Sequence, residues 1–262
     1  MSVYTELFSY RELFANLFRR DLQKRYKGSA LGIVWVLLPP LILMGVYLLV
    51  FHVLWRVTSE VQDYSLYLLA GLASWVFFAT TLQIGSRAML DNAELIRKTR
   101  FPRQLVAFSV VGANVVTYAV TLVILLVACF VFVPESRDTE LLALPLAALF
   151  VCFVAGVTLT IACLDALFRD VEHLVGALLL PWFFVTPVFW DWSQFTSHHT
   201  IVQILRYGNP VSPALSAIRD PLWVGSAPRA VDVVYLVCAA VVALALGAVT
   251  FRHYDDRIAV EL

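Results

Sequence analysis

An all-α integral membrane protein is the fold class this sequence predicts, and three observations predict it. Hydrophobic residues make up 61% of the 262 positions and charged residues only 15%, against about 25% charged in a soluble domain. Six apolar runs approach or exceed the length needed to cross a bilayer, which is about 20 residues of helix. Lys and Arg concentrate on one set of alternate loops, as the positive-inside bias requires. So large an apolar share cannot be hidden inside one soluble core, so part of the solvent must be lipid. A formal net charge of zero argues against a nucleic-acid partner.

The elements follow in order within one domain, residues 1–262. Residues 4–27 have helical periodicity, with Leu7, Tyr10, Phe14, Leu17 and Phe18 on one face and Glu6, Glu12, Asn16, Arg19, Arg20 and Gln23 on the other. An amphipathic helix with a basic end, placed just before a span, is expected to lie in the inner interface. The first 27 residues carry nine charges and no apolar segment of signal-peptide type, so insertion is expected to start at the first span. That span, 31–55, contains no Asp, Glu, Lys or Arg. The second, 66–88, is free of them from Leu66 to Ile84; the third, 104–133, and the fourth, 141–164, are free throughout. The sixth, 232–251, is clean from Val233 onwards. The fifth, 174–190, is 17 residues long and interrupted by Pro181 and Pro187. It reads as a broken span, tolerated where neighbouring helices or a cavity satisfy the freed backbone.

Residues 191–230 exceed what an outer connection needs, and the region carries Trp190, Trp192, Ile201, Val202, Ile204, Leu205 and Trp223. Asn209-Pro210 and Asp220-Pro221 are turn or helix-start signals. Two short re-entrant helices in the outer leaflet are expected, forming an outer cap or an outer gate. Orientation follows from the cations. Arg11, Arg19, Arg20, Lys24, Arg25, Lys27, Arg87, Arg97, Lys98, Arg100, Arg103, Arg169, Arg252 and Arg257 fall on one side, and only Arg56, Arg137, Arg206, Arg219 and Arg229 on the other. Both termini are therefore expected in the cytoplasm.

No chemistry of its own is legible in the chain. It lacks a Gly-x-x-x-x-Gly-Lys-Ser/Thr phosphate loop, a His-Glu-x-x-His pair and a Gly-x-Ser-x-Gly elbow. Cys129, Cys152, Cys163 and Cys238 sit in apolar runs at no metal-ligand spacing and read as small apolar residues. No catalytic, cofactor or metal site is expected. The spans are almost free of ionisable groups, with Asp165 near a cytoplasmic end, which disfavours a proton-coupled carrier. Two short charged segments, 91–103 and 168–173, lie between long apolar runs. A membrane protein built this way is expected to receive its energy from a cytoplasmic partner.

Four motifs carry a family resemblance. They are Arg20-Asp21-Leu22-x-x-Arg25-Tyr26-x-Gly28-Ser29-x-Leu31-Gly32-x-x-Trp35 followed by Pro39; Asn92-x-x-Leu95-Ile96-x-Lys98-x-x-Phe101-Pro102-Arg103; Phe168-Arg169-Asp170 with a later Pro187; and Asn209-Pro210 with Arg219-Asp220 ten residues on. Their order and spacing resemble the type-2 ABC exporter permeases of the polysaccharide group, which export O-antigen and other lipid-linked glycans. The resemblance implies a homodimer with six spans per copy, joined to two copies of a cytoplasmic nucleotide-binding ATPase that binds ATP and Mg. It implies polyprenyl-diphosphate-linked glycan as substrate and the bacterial inner membrane as location.

It also implies roles. Asn92, Glu94, Leu95, Ile96, Arg97, Lys98, Arg100, Phe101 and Pro102 would form the principal ATPase-coupling and gate segment, with Arg169 and Asp170 as a shorter second contact. Asn209, Pro210 and Arg219 would belong to the outer gate. Sugar C–H faces pack on aromatic rings without needing charge, so Trp35, Tyr47, Phe51, Trp182, Phe183, Phe184 and Phe189 are the candidates for a glycan path; helix packing is the competing reading of each. Arg20, Lys24, Arg25 and Lys27 are candidates for lipid headgroups. Alternatives stay open: a permease for drugs or small lipids, and, from a different class, a membrane-bound sugar or lipid transferase. The latter would want clustered Asp, Glu or His at one face. A scaffold that only anchors a partner would need no Pro-broken span.

Overall fold

A computed structural model of the chain describes residues 10–26, 34–50, 64–99, 101–192 and 199–261. Among these, all regular structure is helical. In chain order the helices are α1 (Arg11–Tyr26), α2 (Val34–Tyr47), α3 (Tyr64–Ser86), α4 (Ala88–Asp91), α5 (Ala93–Lys98), α6 (Gln104–Phe132), α7 (Ala143–Leu167), α8 (Val171–Val185), α9 (His199–Gly208), α10 (Val211–Arg219) and α11 (Ala230–Glu261). Short 3₁₀ turns at Pro134–Ser136 and Glu140–Leu142 join α6 to α7, and a π turn, Asp220–Val224, follows α10.

Among the described residues, four stretches are long and apolar enough to cross a membrane: Tyr64–Ser86, Gln104–Phe132, Glu140–Leu167 and Ala230–Asp255. Leu38–Val50 and Val171–Val185 are shorter apolar helices. The six-run expectation thus meets four full-length helices and two shorter ones among the described residues. Residues 31–33 and 51–55 of the expected first run, and 4–9 and 27 of the expected interfacial helix, lie outside the described residues.

The differences in boundary have physical causes. The broken span was expected over 174–190, but α8 stops at Val185 and Thr186 turns to extended backbone (φ −90°, ψ 136°). Thr186 precedes Pro187, and proline bars its predecessor from the helical region. The sixth span was expected to end at Phe251, where charges resume, yet α11 continues to Glu261. Phe251 and Ile258 are both fully buried and lie seven residues apart, two turns along one face. Packing therefore carries the helix past Arg252, Asp255 and Arg257.

Helix α3 is the central post. Tyr67, Leu68, Leu72, Phe78 and Leu82 are essentially inaccessible, and the helix contacts α2, α6, α7 and α8. Around it a large apolar cluster takes in Phe150 and Phe153 of α7 and Leu215 and Ile218 of α10. A second, separate cluster gathers Leu17 of α1, Met89 of α4, Ile96 of α5, Val106 of α6, Ala162 of α7, and Phe251 and Ile258 of α11. Lipid tails are as apolar as leucine, so close packing rather than water exclusion must hold such helices together. The α7–α11 pair shows how: a Cβ on Gly156 would lie 2.3 Å from the carbonyl carbon of Ala243, and one on Gly247 would lie 2.9 Å from the Gly156 carbonyl oxygen.

Candidate functional site

At the end expected to face the cytoplasm, called here the inner end, α4 and α5 form two short turns hinged at Asn92. The Asn92 side chain donates from Nδ2 to the Ala88 carbonyl (2.8 Å) and accepts at Oδ1 from Arg20 Nη2 of α1 (2.6 Å). Arg20 also pairs with its neighbour Asp21 (3.1 Å), whose other oxygen accepts from Ser109 of α6 at 2.6 Å. Arg20, one of the residues read as meeting lipid headgroups, is therefore tied to the segment read as coupling. The side chains of Lys24 and Arg25, and Lys27 altogether, lie outside the described residues.

From this hinge the segment divides by face. Ile96 is buried, and Leu95 and Phe101 pack half-buried against the same inner cluster. Pro102 is half-buried at the start of α6, where its carbonyl accepts from the Leu105 N–H (3.0 Å). Glu94, Arg97 and Lys98 are exposed; the Lys98–Glu94 pair spans 3.4 Å with both side chains in solvent and is worth about 0.3–0.5 kcal/mol at most. Arg100 lies outside the described residues. Arg103 closes the segment by donating to the Asp255 carboxylate (2.9 Å) and to the Asp255 carbonyl on α11.

The shorter charged loop sits beside it. Phe168, Arg169 and Asp170 are all exposed. The elbow beneath them is fixed by Asp165, whose buried carboxylate accepts from the Glu172 N–H in the first turn of α8 (2.8 Å). An acidic side chain at a helix N-terminus is also favoured by the helix dipole. Arg87 links the two segments, bonding Glu172 at 3.1 Å and approaching Asp91 at 3.7 Å. These pairs are half-exposed, so their contribution lies in position more than in energy. Exposed cations and carboxylates thus stand on turns whose other faces are anchored to α1, α6 and α11.

At the opposite end, expected to face outward and called the outer end, polar anchors are buried. Arg219 is 5% exposed; its guanidinium donates to the carbonyls of Pro187 (3.0 Å) and Val188 (3.2 Å) and lies 3.7 Å from the centre of the Tyr67 ring. Proline breaks the α8 ladder and frees backbone acceptors, and Arg219 supplies donors to the chain just beyond the break. Gly71 makes room, since a Cβ there would sit 2.3 Å from Arg219 Nη2. Asn209 accepts at Oδ1 from Trp182 Nε1 (2.8 Å) and the Val211 N–H (3.1 Å), and donates to Thr186 Oγ1 (2.9 Å). Pro210 follows it at the start of α10. Arg206 of α9 bonds the inaccessible Asp232 of α11 at 2.5 Å. The nearby Asp220 carboxyl is pushed up from its ordinary 3.8 to about 6 by burial and by the Asp232 charge, against the pull of Arg219.

The aromatic residues divide. Phe183 is 6% exposed, packed against Trp75 (5.4 Å), Phe184 (5.5 Å), Phe189 (5.6 Å) and Tyr47 (5.7 Å). Tyr47 also stacks on Phe189 (5.6 Å), while Phe184 is 52% exposed. Trp182 stands edge-on to Phe78 and borders a cleft of about 470 Å³ between α8 and α9, with Pro181, Ile204 and Asn209. Phe51 and the Trp35 side chain lie outside the described residues. Sequence reading noticed Asp165 and included Glu172 in the shorter segment without seeing the bond between them, and it assigned no site role to Arg87, Ser109 and Asp255 at the inner end or to Tyr67, Gly71 and Thr186 at the outer end. Asp165 was visible because a carboxylate in an apolar run carries a local signal.

Known proteins resemble this chain in sequence. A family model described as ABC-2 type transporter matches residues 12–223. The O-antigen export system permease protein RfbA of Myxococcus xanthus is 29% identical over 255 residues, covering 97% of this chain and 96% of that protein. The protein of the same name from Klebsiella pneumoniae is 28% identical over 210 residues, 80% of this chain and 79% of that one. The polysialic acid transport protein KpsM of Escherichia coli is 22% identical over 251 residues, 92% of this chain and 93% of that protein.

Proposed function

This chain belongs to the ABC-2 type transporter family, and from that premise we propose that it is the membrane subunit of an ATP-driven exporter that moves polyprenyl-diphosphate-linked, O-antigen-like polysaccharide out of the cytoplasm. It works as a homodimer with two copies of a cytoplasmic ATPase subunit, which binds the ATP and Mg. It resides in the bacterial inner membrane with six spans per copy and both termini inside. The similarity to O-antigen export permeases, nearly end to end for the Myxococcus xanthus protein, supports the substrate class.

The observation that carries the mechanism is the two-faced inner segment. Ile96, Leu95 and Phe101 are set in the same apolar cluster as Leu17, Phe251 and Ile258, while Glu94, Arg97 and Lys98 face outward. A push on those outward groups would pass into α1, α6 and α11 as a rigid-body displacement, because packed elements shift rather than deform. Arg87 carries the same displacement to Glu172 and α8. The ATPase thereby acts on the helix that bears Pro181, Trp182 and the break at Pro187. Glycan would pass beside α2 and α8, with Tyr47, Trp182, Phe184 and Phe189 presenting ring faces.

The test is gentle detergent extraction from native membranes with tagged chain, followed by an ATPase assay and glycan analysis of the host. Co-recovery of an ATP-hydrolysing subunit, with lipid-linked glycan accumulating inside cells that lack the chain, is the expected result. Recovery of the chain alone after cross-linking would sink the transporter reading. Normal surface glycan in the deletion strain, with an ATPase still bound, would leave the exporter and remove the substrate.

A further inference from the structure

Between α1, α6, α7 and α11 lies an apolar cleft of about 580 Å³ that none of the coupling or path residues borders. Its walls include Phe14 of α1, Phe108 and Gly112 of α6, Cys152 of α7 and Leu244 of α11, and Arg11 stands among the lining residues. Gly112 sets α1 in place: a Cβ there would meet the Phe18 ring at 3.1 Å and the Phe14 ring at 3.8 Å. The two rings therefore lie close over the α6 backbone, and the cleft is left between α1 and α7.

We infer that this cleft holds an acyl chain of an anionic phospholipid of the inner leaflet, with the headgroup at Arg11. Depth is the first argument. The lining runs along α6 from Leu105 to Val115, ten residues or about 15 Å of helix, half of a hydrocarbon core about 30 Å thick. That is the reach of one leaflet. Charge is the second. Leu105 is at the inner start of α6, and Arg11 is the one charged residue in the lining. Arg11 is exposed and makes no ion pair or hydrogen bond among the described residues. A cation in the wall of an apolar slot one leaflet deep matches a phosphate beside an acyl chain. The inference takes only its membrane orientation from the reading above and is independent of which glycan is carried. Its consequence is that α1, tied through Arg20 to Asn92, is seated partly on lipid.

Two measurements test it on the assembled exporter. Native mass spectrometry in discs of mixed phosphatidylglycerol and phosphatidylcholine should show one phosphatidylglycerol retained per chain. Cys152→Trp, at an exposed position in the cleft wall, should abolish retention, and Arg11→Gln should lower the preference for phosphatidylglycerol about fivefold. In the unaltered protein, stripping lipid should speed maleimide labelling of Cys152 relative to Cys238, which is exposed elsewhere. Retention indifferent to Cys152→Trp, or labelling indifferent to lipid, overturns the inference. So does retention of polyprenyl lipid alone, and so does Cys152 protection in a lipid-free dimer, which would make the cleft an interface between copies.

Discussion

The two ends of this molecule fasten irregular chain in opposite ways. At the inner end, the turns of residues 88–103 are seated on an apolar cluster, and their charged groups are left in solvent or in half-exposed pairs. At the outer end, α9, α10 and the break after α8 are held by buried polar groups: Arg206 on Asp232, Arg219 on two carbonyls, and Asn209 on Trp182 and Thr186. Burying charge is costly unless partners are in place, so the outer arrangement is all-or-none. Half-exposed pairs contribute little energy, so the inner surface is free to exchange partners. Under the proposed function, the first solution suits an end that docks a partner in each cycle and the second an end that holds shut.

That contrast breaks first at Arg206. Arg206→Met leaves Asp232 buried without its partner and should cost about 3–5 kcal/mol of stability in detergent unfolding. Adding Asp232→Leu should recover most of it, because an apolar pair of similar volume needs no compensation. Failure of the double variant to recover would mean the pair orients α9 on α11 rather than merely neutralising charge. Arg219→Lys comes next, with a loss of about 1.5–3 kcal/mol, read by the same unfolding. A single ammonium cannot reach both carbonyls in a fork or lie flat on Tyr67.

Asp220 sharpens the comparison through pH. Its folded-state pKa of about 6 lies above its ordinary 3.8, so the folded chain binds more protons than the unfolded one between those values. Stability should fall as pH rises through that window and level off above it. Asp220→Asn should remove that fall, and an unchanged profile would assign it to another group. At the inner end, Asn92→Ala should cost only about 1 kcal/mol. A double-mutant cycle with Arg20→Ala should return a coupling energy of at least about 0.5 kcal/mol; additivity would detach α1 from the coupling segment.

Much of the fold was legible because it is written in hydropathy. Charge-free runs led to α3, α6, α7 and the first two-thirds of α11, and the Pro181–Pro187 spacing announced a broken helix. The continuation of α11 was hidden, because Phe251 and Ile258 signal only when the partner cluster is known. The candidate site was legible by segment and not by contact. Asn92 and Arg20 are 72 positions apart, and Arg219 and Pro187 are 32 apart; neither pair leaves a trace in local pattern. Adjacent rings also defeat sequence reading: Phe183 is buried and Phe184 half-exposed, and only the packing of α8 on Trp75 and Tyr47 distinguishes them.

The smallest expected change in stability carries the largest functional consequence. Arg97 and Lys98 are exposed, and the only ion pair either makes among the described residues is the solvated Lys98–Glu94 contact. Arg97→Glu with Lys98→Glu should shift unfolding by less than about 0.5 kcal/mol. Ile96, the adjacent residue, is 6% exposed within the inner cluster, so Ile96→Ala should cost about 2–4 kcal/mol. If the inner segment is a docking plate, the charge reversal should abolish ATP-driven export and ATPase association in a chain that unfolds like the original. A compensating reversal on the ATPase should restore both, because rim charges act by complementarity across the contact. If export survives the reversal, the cations are topology signals alone, and the push must enter through the apolar face that Leu95 and Phe101 share with α11.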